Sequence, residues 1–194
     1  MLGEDERRRL ALAMLEDVIG ALQGVAAIGA VHVVSPDPEV IEKARELGAK
    51  AVAEPPSVRG INQALSYALS TIEPNPEAVL AVLADVPAVT TAEIASVMAE
   101  GPERGVVICP SSAKGTSALL LRPPDIIPFR FGELSFQSHK RQAAALKIET
   151  RVLRIESLEH DIDEPDDLRW LMARGGETAT QRLLAKIMPI ERTA

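Results

Sequence analysis

The sequence predicts an α/β fold, a mainly parallel sheet packed between helices, in one domain over residues 1–194. Three observations lead there. Helical and strand patterns alternate from end to end, the order that builds strand–helix–strand units. Ala78-Val79-Leu80-Ala81-Val82-Leu83 is a nearly continuous apolar run, the pattern of a strand covered on both faces. The 194 residues are 46% hydrophobic and 25% charged, with no repeat and no low-complexity tract, which suits one sizeable core.

The elements follow from spacing and stop signals. Leu10, Met14, Val18 and Leu22 at spacing four, with Leu15 and Ile19 beside them, predict a helix over 5–23. Val31-His32-Val33-Val34 reads as a short strand, halted by Ser35-Pro36-Asp37-Pro38. A helix over about 38–47 ends at Gly48, a strand covers 50–53, and a helix runs from Ile61 to Thr71 after the Pro55-Pro56 loop. Thr91 is the expected cap of a helix over 92–99. Strands at 105–109 and 117–122 flank the loop 110–116. A helix capped by Ser135, a strand at 150–155, a helix from Pro165 and a helical tail over 177–187 complete the pattern.

Composition excludes several classes. No stretch reaches the roughly 18–20 apolar residues of a membrane helix, and the charged start Gly3-Glu4-Asp5-Glu6-Arg7 carries no signal-peptide apolar region. A cytoplasmic protein is expected. One cysteine, Cys109, excludes an intrachain disulfide and a cysteine-based zinc site. A net charge of −7 argues against binding a nucleic-acid polymer. The common nucleotide fingerprints G-x-G-x-x-G and G-x-x-x-x-G-K-[ST] are absent, as is the G-x-S-x-G elbow. His32, His139 and His160 show no metal spacing.

In α/β folds ligands sit beyond the carboxyl ends of the strands, so loops 84–90, 110–116 and 161–165 carry the search. Asp85 follows the apolar strand, and Pro87 turns the chain away. It reads either as a turn-forming residue or as an oxygen ligand for magnesium. In Asp161-Ile162-Asp163-Glu164-Pro165-Asp166-Asp167, the last two aspartates suit the helix dipole, whereas Asp161 or Asp163 can join Asp85 around a metal. Phe131-Gly132-Glu133-Leu134-Ser135-Phe136 places a flexible glycine and a hydroxyl at a helix N-terminus, where free N–H groups attract anions. Lys114-Gly115-Thr116-Ser117 adds a cation and hydroxyls. Together these parts suit magnesium-assisted transfer between phosphate compounds.

L-A-D-V-P (83–87), G-T-S-A-L-L-L-R-P-P (115–124), F-G-x-x-S-F-x-x-H (131–139) and D-I-D-E-P-D-D-L (161–168) occur in this order. With the first helix, E-R-R-R-L-A-L-A-M-L-E-D-V, the sequence resembles the 2-phospho-L-lactate guanylyltransferase family, whose bacterial members act as phosphoenolpyruvate guanylyltransferases in coenzyme F-420 biosynthesis. The resemblance implies a Rossmann-like, glycosyltransferase-A-like nucleotidyltransferase fold, a three-layer sandwich with a mixed sheet. It implies transfer of GMP from GTP to a small phosphorylated carboxylic acid, with pyrophosphate released, and a homodimer. By the same resemblance Thr116, Gly132 and Ser135 would contact the acid, Asp85 and Asp163 would hold Mg2+ and serve catalysis, and Gly60 and Asn62 would lie at the nucleotide. The family pattern opens with a strand and a basic loop ahead of the first helix. That strand is expected to be missing here through a truncated or miscalled start, or because the copy is degenerate. The alternatives are another nucleotidyltransferase of this fold, using a sugar phosphate or a molybdenum cofactor precursor, and a non-catalytic binding subunit.

Overall fold

The computed structural model describes residues 2–188. Helix α1 (Glu4–Gln23) is followed by β1 (His32–Ser35), α2 (Pro38–Glu46), β2 (Lys50–Ala53), α3 (Gly60–Thr71) and β3 (Val79–Val82). Then come α4 (Thr91–Ala99), β4 (Gly105–Pro110), β5 (Thr116–Arg122), α5 (Ser135–Ala145) and β6 (Glu149–Val152). The last elements are α6 (Glu156–Glu159), α7 (Pro165–Ala173) and α8 (Ala179–Ile187). No helix among the described residues is long and apolar enough to cross a membrane.

The strands form a parallel pair, β1 with β2, and a four-stranded sheet in the order β3-β5-β4-β6. Strand β5 is antiparallel to both neighbours, while β4 and β6 are parallel. Three strands therefore run one way and β5 the other. The sheet is mixed, and the carboxyl ends of β3 and β4 meet the amino end of β5 at one rim. Gly105 is needed where β6 approaches, because a Cβ there would lie 2.5 Å from the Glu149 carbonyl oxygen.

Successive residues of a strand face opposite sides, and the two central strands bury both faces. Val107, Cys109, Ala118 and Leu120 pack with Val18 of α1, Ile94 and Val97 of α4 and Leu158 of α6. Val106, Ile108, Leu119 and Leu121 pack on the other side with Ile127, Phe129 and Phe131, with Leu65 and Leu69 of α3, and with Ala143 of α5. That gives three layers, helix on sheet on helix. Helix α1 also joins a cluster with Leu168, Leu171 and Leu184, and another with Ala44 and Ala49. One helix thus ties both ends of the chain to the central sheet.

Three expectations need correction, and one is met: strand β3, though at an edge of its sheet, packs into the core on both faces, Leu80 and Val82 on one side and Val79 and Ala81 on the other. Thr90, not Thr91, caps α4: its hydroxyl accepts the Glu93 N–H and Glu93 returns a carboxylate to the Thr90 N–H. Ser135 does not cap α5; it is the first helical residue, and the cap position is Leu134 in a left-handed conformation at φ 55°. The strand expected over 150–155 ends at Val152, and the short helix α6 follows within a few residues.

The N-terminus of α8 is capped from a distance. Asp17 of α1 accepts the Ala179 N–H at 2.6 Å and the Thr180 N–H at 2.9 Å, one on each carboxylate oxygen. These are two N–H groups that a helix cannot satisfy itself. Asp17→Ala is expected to cost about 1–2 kcal/mol, read by urea denaturation, with Asp17→Asn recovering part of the loss.

Candidate active site

The rim where β3, β4 and β5 meet gathers most of the residues singled out in the sequence. Strand β4 passes its irregular step at Cys109/Pro110 and enters a tight turn. The Ser111 N–H donates to the Gly115 carbonyl at 3.1 Å, and the Gly115 N–H donates to Ser111 Oγ at 3.1 Å. Lys114 sits at the turn with φ 67° and its side chain exposed. Thr116 and Ser117 then open β5, both buried.

Beside them lies the start of α5. Gly132 takes φ 117°, a conformation that side chains resist, with open space where a Cβ would stand. Leu134 is left-handed as well, so two distortions within three residues set the entry to α5. This turns Ser135 inward to 1% exposure, where its Oγ has no hydrogen-bond partner. Ser117 Oγ is likewise buried and unpartnered. A buried hydroxyl without a partner costs on the order of 1–3 kcal/mol, and two of them here make this rim a candidate for binding a ligand's oxygens.

Asn62 fixes this entry from α3. Its Nδ2 donates to the Phe131 carbonyl at 3.0 Å and its Oδ1 accepts the Phe131 N–H at 2.7 Å. Expected at the nucleotide, the Asn62 carboxamide is here spent on the backbone next to Gly132. Gly60 begins α3 at φ 73°, with nothing within 4 Å of a Cβ position.

The acidic side of the rim is held by Asp85, two residues beyond the Leu83 N–H that donates to the Ser117 carbonyl at 2.9 Å. The Asp85 carbonyl accepts the Ile162 N–H at 2.8 Å, which draws the 161–163 segment alongside. Asp85 Oδ1 is buried without a partner. Burial first, and then the charges of Asp161 and Asp163, push its carboxyl up to about 6. Asp161 bears on Asp85 more strongly than Asp163 does, and both lie close enough for their charge to be felt there. Ser112 Oγ reaches Asp161 Oδ1 at 3.4 Å, linking the acidic side to the hydroxyl turn. Asp167 accepts the Asp163 and Glu164 N–H groups and serves the start of α7.

A partnerless buried carboxylate oxygen among like charges fits a divalent cation. Among the described residues no three acidic, histidine or cysteine side chains gather closely enough to hold a metal by themselves. Magnesium commonly takes one or two carboxylates and completes its shell with water and substrate phosphates, so the residues present fit it.

His139 closes the F-G-x-x-S-F-x-x-H motif but was given no role at the site. It is fully buried on α5, one turn beyond Ser135, and its Nδ1 lies 3.1 Å from Thr116 Oγ1. The signal available was the spacing of four between Ser135 and His139, which puts both on one helix face. The Phe131 ring meets the imidazole edge-on at 5.3 Å. A separate groove of about 610 Å3, lined by Val25, Ala78, Met98 and Arg122 among others, lies at the opposite end of β3. Its Arg122 is engaged with the Gly101 and Pro102 carbonyls.

Solved structures share this architecture. A Desulfovibrio desulfuricans protein assigned to the nucleotide-diphospho-sugar transferases superposes with a TM-score of 0.75 at 16% identity, over 95% of this chain and 84% of that one. A CMP:2-keto-3-deoxy-manno-octonic acid synthetase complexed with CTP superposes with a TM-score of 0.60 at 15% identity, over 83% and 88%. The class is therefore a Rossmann-like nucleotidyltransferase fold. Within it, the profile described as "Guanylyl transferase CofC like" matches residues 1–191, and the chain belongs to that family. It is 41% identical over 172 residues to a phosphoenolpyruvate guanylyltransferase of Sphaerobacter thermophilus, spanning 88% of this chain and 82% of that protein. It is 31% identical over 183 residues to a 2-phospho-L-lactate guanylyltransferase of Methanocaldococcus infernus, spanning 94% and 81%.

The Asp85 carboxyl holds its proton up to about pH 6 in the native state but releases it near 3.8 when unfolded. The native state thus binds more protons in that window, and this group's contribution to stability is lost as pH rises through it. Without divalent cations, Asp85→Asn is expected to raise the unfolding free energy by about 1–2 kcal/mol near neutral pH and by little near pH 4. Thermal denaturation in chelator at both pH values checks this; a gain of equal size at both would contradict it.

Proposed function

We propose that this protein transfers GMP from GTP to the phosphate of phosphoenolpyruvate or 2-phospho-L-lactate, releasing pyrophosphate, as a step in coenzyme F-420 biosynthesis. The observation that carries the reading is the pairing of a hydroxyl cluster with an acidic cluster on one rim. Ser135 Oγ is buried without a partner at the N-terminus of α5, and Asp85 Oδ1 is buried without a partner beyond β3. The first asks for anion oxygens and the second for a cation. A phosphate acceptor beside a metal-bound triphosphate supplies both.

In this reading Thr116, Gly132 and Ser135 receive the acceptor, with the free N–H groups of α5 adding their partial positive charge. Thr116 and Ser135 are 2% and 1% exposed, next to the exposed tips at 112–114 and 132–134. The acceptor phosphate is largely doubly ionised near neutral pH, its second pKa being about 6, and needs no general base. One of its oxygens attacks the α-phosphorus of GTP. The new bond forms there as the bond from that phosphorus to the bridging oxygen breaks, and pyrophosphate leaves with the electron pair. Asp85, with Asp163 or Asp161, would hold Mg2+, which neutralises charge on the triphosphate and its leaving group. Asn62 steadies the Phe131 backbone next to the acceptor, and Gly60, at the start of the same helix, is left to the nucleotide side in this reading. Relatives at 41% identity carry the phosphoenolpyruvate name, which makes phosphoenolpyruvate the first acceptor to supply. A cytoplasmic setting accords with the one cysteine, Cys109, being a buried free thiol.

The test is pyrophosphate release from GTP and Mg2+ with each acid supplied in turn. Release with one acid, and none without it, is the expected result; none with any acid sinks the proposal. Thr116→Ala and Ser135→Ala should each raise the acceptor KM roughly tenfold or more, as for a hydrogen bond to a charged group. The GTP KM should change little.

A further inference from the structure

The Thr116 hydroxyl does not stand alone. His139 Nδ1 lies 3.1 Å from Thr116 Oγ1, and His139 Nε2 lies 3.0 Å from the Arg130 backbone nitrogen. A backbone N–H can only donate, so Nε2 must be the nitrogen with the lone pair. A neutral imidazole then carries its one proton on Nδ1. That proton faces Thr116 Oγ1, which accepts it. The threonine's own O–H is left free to donate elsewhere.

We propose that His139 is a positioning residue for the acceptor: anchored at Nε2 by the Arg130 N–H, it presents Nδ1–H to Thr116 and so turns the Thr116 hydroxyl proton toward the bound phosphate. This inference rests on the acceptor role given to Thr116 under the proposed function. A hydroxyl that can rotate offers a phosphate either a proton or a lone pair, and the second repels it. Accepting the histidine N–H keeps the Thr116 O–H from being spent on His139 and leaves it for the ligand side. It also polarises the O–H, since hydrogen bonds in series strengthen one another.

Three further features suit the role. The ring is held in place by the Phe131 edge at 5.3 Å and by complete burial. Burial also pushes the imidazole down to about 4, so the ring stays neutral and keeps its Nε2 lone pair under ordinary conditions. Arg130 and Phe131 are consecutive and are gripped by His139 and Asn62 respectively. The Gly132 turn is therefore fixed from α5 and α3 at once.

Two substitutions separate this role from simple packing. His139→Asn puts an amide N–H near the position of Nδ1 and retains the bond to Thr116 while giving up the one to Arg130. His139→Gln puts a carboxamide oxygen near the position of Nε2 and does the reverse. The acceptor KM should stay within about threefold of wild type in the asparagine variant and rise on the order of tenfold in the glutamine variant, with the GTP KM unchanged in both. If the histidine served only to hold the loop, the order of the two variants would invert; that result, or equal effects, overturns the proposal.

Nitrogen-15 spectra of the wild-type histidines, with His139 assigned by its loss in the variants, give a readout independent of turnover. The neutral Nδ1–H tautomer is expected near neutral pH, and an Nε2–H form or an imidazolium refutes the arrangement. Should the wild type release no pyrophosphate with any acid, the enzymatic reading fails while the tautomer still decides this one. Inorganic phosphate affinity by calorimetry then replaces KM in comparing the two variants.

Discussion

The site depends on one reversal of the chain. Between Pro110 and Thr116 the backbone turns within a few residues, and Ser111 closes that turn with both its N–H and its hydroxyl. Because the connection is so short, β5 must return antiparallel beside β4. Its amino end is thereby delivered to the rim where β3 and β4 end. A longer, helical connection would have carried the next strand to the opposite rim. Thr116 and Ser117 would then have been separated from Asp85 by the length of the sheet.

The hydrophobic core makes this geometry rigid. Residues 106–109 and 118–121 are all fully buried, and interiors of this kind pack as densely as organic crystals. The strands cannot slide, so the turn that joins them and the rim residues that follow hold fixed places. Against that frame the rim itself is costly. It keeps a carboxylate oxygen and buried hydroxyls without partners, and it strings Lys114, Gly132 and Leu134 through left-handed conformations. Strain and unsatisfied polar groups gathered at one rim mark it as a candidate binding site. The Asn62 clamp and the His139 bridge keep that edge in shape, the first through backbone and the second through a side chain.

Much of this was legible in the chain. The strand patterns located the six strands among the described residues, and the periodicity of Leu10, Met14, Val18 and Leu22 located α1. Asp85, Thr116, Gly132 and Ser135 were singled out from strand ends, glycines and helix starts together with the family resemblance, and the fold gathers them on one rim. What failed is instructive. Thr90 and Thr91 are both good capping residues, and only the dihedral angles and the reciprocal bond with Glu93 choose between them.

By itself the sequence determined the alternation of elements, the helix-and-sheet class and the loops worth searching, since these rest on interactions between residues close along the chain. Tertiary structure alone decided three things. It set β5 antiparallel in the middle of the sheet. It committed the Asn62 carboxamide to Phe131, 69 positions away. It put His139 between Thr116 and the Arg130 backbone. Each is a pairing of groups far apart in sequence, whose partner is fixed by the packing of whole layers and not by any local spacing. A histidine read in isolation has two nitrogens and no stated purpose; the fold gives each one a partner, and with them a direction to the hydroxyl between the histidine and the site.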